Sequence, residues 1–187
     1  MKRLFLFICV FAFLFENSSA QRYQHGEQGI ELKLGTVNGL NPKKAFYGGV
    51  ALSTYAQNDS RWVFGAEFLQ KQLDYSQKQI PVAQFTGEGG YYYSFLSDPS
   101  KTFLLSIGAS GLAGYETSNW GNKTLFDGAT LLNKDAFIYG GALTLELETF
   151  ITDRFILLVN ARERLMWGSS AGKLSIQLGA GIKIIIN

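Results

Sequence analysis

The sequence predicts an all-β protein: an eight-stranded antiparallel up-and-down outer-membrane β-barrel, following a cleaved signal peptide. Three observations lead there: an N-terminal apolar run flanked like an export signal, alternation with a period of two along eight segments, and connections that alternate between short turns and longer loops.

The export signal comes first. Residues 1–15 read MKRLFLFICVFAFLF, with Lys2 and Arg3 ahead of a twelve-residue apolar run, Leu4 to Phe15. ENSSA follows, placing Ser18 and Ala20 at the small positions a signal peptidase needs, so residues 1–20 are assigned to the signal and 21–187 to one barrel domain. A run of twelve cannot cross a hydrocarbon core that needs about 20 residues. Cys9, the only cysteine, lies inside this signal, which leaves the remainder without thiol, disulfide or cysteine metal chemistry. Without Lys2, Arg3 and Glu16 the chain carries 15 basic and 14 acidic side chains, a balance with no electrostatic footprint for nucleic acid.

Twenty-one glycines and 27 aromatics against three prolines favour strands with tight turns. The first strand, EQGIELKLGTV, sets Ile30, Leu32 and Leu34 against Glu31 and Lys33. The second, AFYGGVALSTY, groups Phe46, Val50 and Leu52. RWVFGAEFLQKQL opposes Trp62, Phe64, Ala66 and Phe68 to Gly65, Glu67 and Lys71, and AQFTGEGGYYYSFL opposes Phe85, Tyr91, Tyr93 and Phe95 to Gln84, Thr86, Glu88 and Ser94. The later strands alternate more cleanly: TFLLSIGASGLAGYE, then FIYGGALTLELETF, then FILLVNARERLMW, then KLSIQLGAGIKIIIN.

Short turns built on QNDS, SDPSK and TDR follow the second, fourth and sixth strands. NGLNPKK, SQKQI, the nineteen-residue TSNWGNKTLFDGATLLNKD and SSAG follow the others. Short turns on one side and longer loops on the other are the arrangement of outer-membrane barrels. The long loop, with Trp120, Lys123, Phe126 and Asp127, is the candidate partner-binding segment.

The polar face is mostly Gly, Ser, Thr, Ala and Gln, which suits a lumen that eight strands leave only wide enough for side chains. The apolar face is then directed to lipid. Aromatics near the strand ends predict two girdles: Tyr55, Trp62, Phe95, Phe103, Phe150 and Phe155 at the short turns, and Tyr75, Tyr115, Phe137, Tyr139 and Trp167 at the long loops. Glu163 breaks the pattern, falling on the lipid face between Ala161 and Leu165, either near the outer headgroups or at a bulge that shifts the register.

Catalytic signals are sparse. His25, the only histidine, precedes the first strand, which removes a Ser-His-Asp arrangement from the lumen. GASGLAG, residues 108–114, departs from the phosphate-loop spacing and reads as small residues that let other side chains pass. The chain implies no cofactor and no enzyme. Glu146 and Glu148 share the inner face with Arg162 and Arg164 of the next strand, with Glu88 as a possible neighbour. With an odd-length turn Arg162 falls opposite Thr144 and diagonal to Glu146, so these charges are expected to neutralise one another as a structural lumen network.

These segments resemble the TraO family of Bacteroidetes conjugative transposons. The likeness rests on the order and spacing of QRYQHGEQGIEL, TGEGGYYYSFL, GYE at 114–116, FDGATLL, FIYGG, LETFITDRFILL and RERLMWG. It implies an outer-membrane component of a conjugative DNA-transfer apparatus, with a structural or mating-pair role, other transfer proteins and outer-membrane lipid as partners, and no direct contact with nucleic acid. The same fold also suits a general small barrel for envelope integrity or adhesion. One departure from such barrels is the ending KIIIN, where an aromatic residue commonly closes the last strand.

Overall fold

A computed structural model describes residues 25–75, 78–122, 130 and 135–186. The proposed signal, residues 1–20, lies outside them, as do Lys123, Phe126 and Asp127 of the long loop.

Eight strands run in chain order: β1 (Gln28–Val37), β2 (Ala45–Tyr55), β3 (Arg61–Tyr75), β4 (Lys78–Ser97), β5 (Phe103–Ser118), β6 (Asp135–Phe150), β7 (Phe155–Trp167) and β8 (Leu174–Ile185). Each pairs antiparallel with the next, and β8 returns to β1, from Gly29 opposite Ile185 to Val37 opposite Gln177, closing the barrel. Closure removes the unpaired edges that an open sheet of such strands would expose.

Period-two alternation becomes two faces. In β7 every second residue from Ile156 to Met166 is buried and the rest are exposed. The outside carries Leu34 at 71%, Phe137 at 67% and Leu143 at 60% exposure, so the largest apolar side chains face away from the lumen. Rings stack along the outside at the loop end, with Phe137 to Tyr139 at 6.3 Å and Tyr139 to Trp167 at 6.0 Å, and Trp62 meets Tyr91 at 4.9 Å near the turn end.

Two members of the expected turn-side girdle face inward instead. Tyr55 and Phe150 are buried with Leu104, Ile156, Leu158 and Ile185 in an apolar plug at the turn end of the lumen. Parity explains this: Tyr55 follows the inward Ala51 and Ser53, and Phe150 follows the inward Glu146 and Glu148. The side chain of Tyr75 lies outside the described part.

SQKQI does not form a long connection. β3 and β4 stay paired as far as Tyr75 and Lys78, with Leu73 opposite Ile80, so most of the segment joins the ladder. Pro81 lies just past Val82, the last residue of β4 paired with β5, where β4 has become an edge that tolerates a missing N–H. One register shift occurs at Ser94/Leu96 of β4, leaving Phe95 and Leu96 both exposed outside. No shift falls in β7, so Glu163 sits in regular register between Leu143 and Ile176, on the outer face.

Candidate functional site in the barrel lumen

The lumen holds two charged tiers, one above the other. The lower tier gathers Glu31 and Lys33 of β1, Arg61 of β3, Glu146 and Glu148 of β6, and Lys183 of β8. Lys33 Nζ lies 2.7 Å from Glu31 and 2.9 Å from Glu146. Arg61 bonds Glu146, reaches Glu148 at 2.9 Å and sits 4.8 Å from the centre of the Tyr92 ring. Lys183 bonds Glu148, lies 3.1 Å from Glu31 and donates to the Tyr55 hydroxyl at 2.7 Å. Three cations meet three carboxylates, which is the condition for charge to persist out of water.

The upper tier pairs Arg162 and Arg164 of β7 with Glu67 of β3 and Glu88 of β4. Arg162 bonds Glu88, contacts Glu67 at 3.4 Å and donates to Ser110 Oγ at 3.2 Å. Arg164 Nη1 lies 2.8 Å from Glu67, whose Oε1 also accepts from Gln177 at 2.8 Å. Between the tiers, the Tyr47 hydroxyl donates to Asn160 Oδ1 at 2.9 Å.

The sequence places Glu146, Glu148, Arg162 and Arg164 on one face, and all four are buried there, but they do not bond one another. Arg162 does lie opposite Thr144. Long side chains in so narrow a lumen cross to the far wall, and strand tilt decides which far residue shares their height. Arg162 and Arg164 therefore meet β3 and β4, while the β6 glutamates meet β1, β3 and β8. Sequence reasoning left Arg61 unassigned. Its signal was parity, since Arg61, Val63 and Glu67 are odd positions of one strand and all point inward.

Glycine makes the room these rings need. A Cβ on Gly179 would sit 2.0 Å from the Tyr47 hydroxyl oxygen, and one on Gly108 would sit 2.7 Å from the Tyr92 ring. Gly108 belongs to GASGLAG, so that segment makes room for a side chain.

At the loop end Glu116 anchors the β7–β8 connection. It accepts from the Ser170 backbone N–H at 2.7 Å, from Ser169 Oγ at 2.6 Å and from Gln84 Nε2 at 2.7 Å, and it also bonds the Ser170 hydroxyl. Lys71 Nζ holds the Ala171 carbonyl at 2.9 Å. Glu116 lies beyond the Tyr139–Trp167 ring pair and outside the apolar belt. Burial pushes its carboxyl up, but the hydrogen bonds outweigh burial and hold it below the usual range.

Trp120, in the β5–β6 connection, is 56% exposed, with a left-handed backbone (φ 50°) between Asn119 and Gly121, which are left-handed too. Among the described residues no group of three or more His, Cys, Asp or Glu is arranged to hold a metal.

A closed barrel with apolar residues outside and paired charge inside is the architecture of small outer-membrane barrels, and the comparisons agree. Neisserial surface protein A aligns with a TM-score of 0.59 at 12% identity, over 85% of this chain and 97% of that one. The N-terminal barrel of Pseudomonas aeruginosa OprF aligns at 0.51 and 11% identity, over 86% and 98%. Ail, the attachment invasion locus protein of Yersinia pestis, aligns at 0.50 and 13% identity, over 86% and 100%. At these identities the likeness is one of fold. No curated protein matches the chain. The sequence model of the family described as conjugative transposon protein TraO matches residues 25–186. The chain belongs to the TraO family. In this TraO-family chain the matched residues form the closed eight-stranded barrel with its charged interior.

Proposed function

We propose that this TraO-family protein is a non-catalytic outer-membrane component of a conjugative DNA-transfer apparatus. On this reading residues 1–20 direct export and are removed, and the barrel spans the outer membrane. The lumen network, including Glu88, Glu146, Glu148, Arg162 and Arg164, serves as an internal clamp. The observation that carries the membrane assignment is the outer face: Leu32, Leu34, Val50, Leu143, Leu145, Val159, Ile176 and Ile182 are all exposed around a closed belt. A continuous apolar surface of that size calls for lipid or a partner, not water. The clamp reading is supported by ion pairs that fill the lumen and leave the Glu and Arg side chains engaged with one another. Partners are other transfer proteins, met through lipid or through the outer loops, where Trp120 is presented.

Two experiments test this. After membrane fractionation the protein should appear in the outer membrane and change its gel mobility on boiling; loss of both would defeat the barrel-in-membrane reading. Deleting the gene in a donor should lower transfer frequency without affecting growth. Unchanged transfer together with new detergent sensitivity would assign it to general envelope integrity instead.

A further inference from the structure

Glu163 has an unusual setting. It lies four residues along β7 from Trp167, and its register neighbours Leu143 and Ile176, like Ala161 and Leu165 on either side, are apolar. At strand rise and tilt typical of such barrels, four residues put it about 10 Å inside the level of the Trp167 ring. No hydrogen bond or ion pair joins it to another described residue. Lipid offers a carboxylate no partner, and regular register excludes a bulge that would turn it inward.

Beside it the outer wall is hollow. A groove of about 600 Å³ is lined by Leu143, Glu163, Leu165, Trp167 and Leu174, together with Ala109 and Gly141. Gly141 is not required by packing within the barrel, because its nearest neighbour to an added Cβ would be the Ser110 carbonyl oxygen at 3.4 Å, an ordinary contact.

We infer that this groove docks a membrane-embedded segment of a partner protein, and that the segment brings a Lys or Arg to Glu163. The inference rests on the outer-membrane reading above. Charge complementarity chooses the occupant. A second copy would not supply the cation, because no Lys or Arg is among the described outward-facing side chains of the eight strands. Acyl chains alone would fill the hollow and leave the carboxylate uncompensated. A basic side chain entering beside Leu143 and Leu165 satisfies both the shape and the charge, and pairing in lipid ties the segment to one depth.

The test uses the full protein in phosphatidylcholine vesicles with a fluorescent membrane-spanning Leu-Ala peptide. The peptide carries one Lys at the matching depth, or Leu there as control. Energy transfer should show the Lys peptide associating about tenfold more tightly than the Leu peptide. Glu163→Gln should abolish that preference, and Gly141→Leu, which fills the groove without crowding the barrel, should weaken both peptides. Equal association of the two peptides, a preference that survives Glu163→Gln, or association only between barrels would overturn the inference. A protein that fails to enter vesicles defeats the outer-membrane reading itself. One that inserts, shows boiling-sensitive mobility and lacks the preference defeats only the docking site.

Discussion

Arg164 of β7 and Glu67 of β3, 97 residues apart in sequence, meet across the lumen at 2.8 Å. Both are nearly inaccessible to solvent, and Glu67 also receives Arg162 and Gln177. Removing Glu67 strands the Arg164 guanidinium in the interior, while Arg162 keeps Glu88. Glu67→Ala should therefore cost about 3 to 5 kcal/mol in urea unfolding from detergent micelles. Replacing Glu67 and Arg164 together with apolar residues should recover most of the loss, since the penalty belongs to the unpaired charge and Arg162 keeps Glu88.

Arg162 discriminates between pairing within the hairpin and pairing across the lumen. A double-mutant cycle of Arg162→Ala with Glu88→Ala should show a coupling of about 0.5 to 3 kcal/mol, while the cycle with Glu146→Ala should show close to none. A larger coupling to Glu146 would mean that the two β6 and β7 charge pairs neutralise each other along the hairpin.

Gly179 faces the Tyr47 ring, and a methyl group there overlaps the hydroxyl oxygen. Gly179→Ala should destabilise the barrel by about 1 to 3 kcal/mol, read as a lower melting temperature. Tyr47→Phe in that background should recover part of the loss, less the bond to Asn160.

Acid should release the β7–β8 connection before it unfolds the barrel. Glu116 titrates below its ordinary range in the folded protein. A depressed carboxylate stabilises fully above its unfolded pKa, and that contribution fades as pH falls through the folded value. Amide exchange at Ser170, corrected for intrinsic rates, should be protected at neutral pH and lose protection in acid, near and below the usual carboxylate range. Glu116→Gln should be unprotected at both. Protection independent of pH would show that the Glu116 bonds do not hold the loop.

Much of this molecule was legible in the sequence because alternation is local. Leu143, Leu145 and Leu147 on one face and Thr144, Glu146 and Glu148 on the other follow from residue spacing alone, and the odd turn after Phe150 fixed Arg162 opposite Thr144. The pairing of charges was not legible. Arg162 reaches Glu88, and Arg61 reaches Glu146, only because closure of β8 onto β1 and the tilt of all eight strands bring distant residues to one height. Tyr55 and Phe150 were misplaced for a related reason: an aromatic at a strand end suits a girdle or a plug equally well, and parity decides which.

By itself the sequence determined the alternation of the strands, their faces and the register of the β6–β7 hairpin, since these depend on a side-chain period of two and on turn length. Only the tertiary structure decided which charges neutralise which, and that Glu163 stands beside a groove without a partner among the described residues, because these depend on distances across and around a closed barrel that no local period encodes.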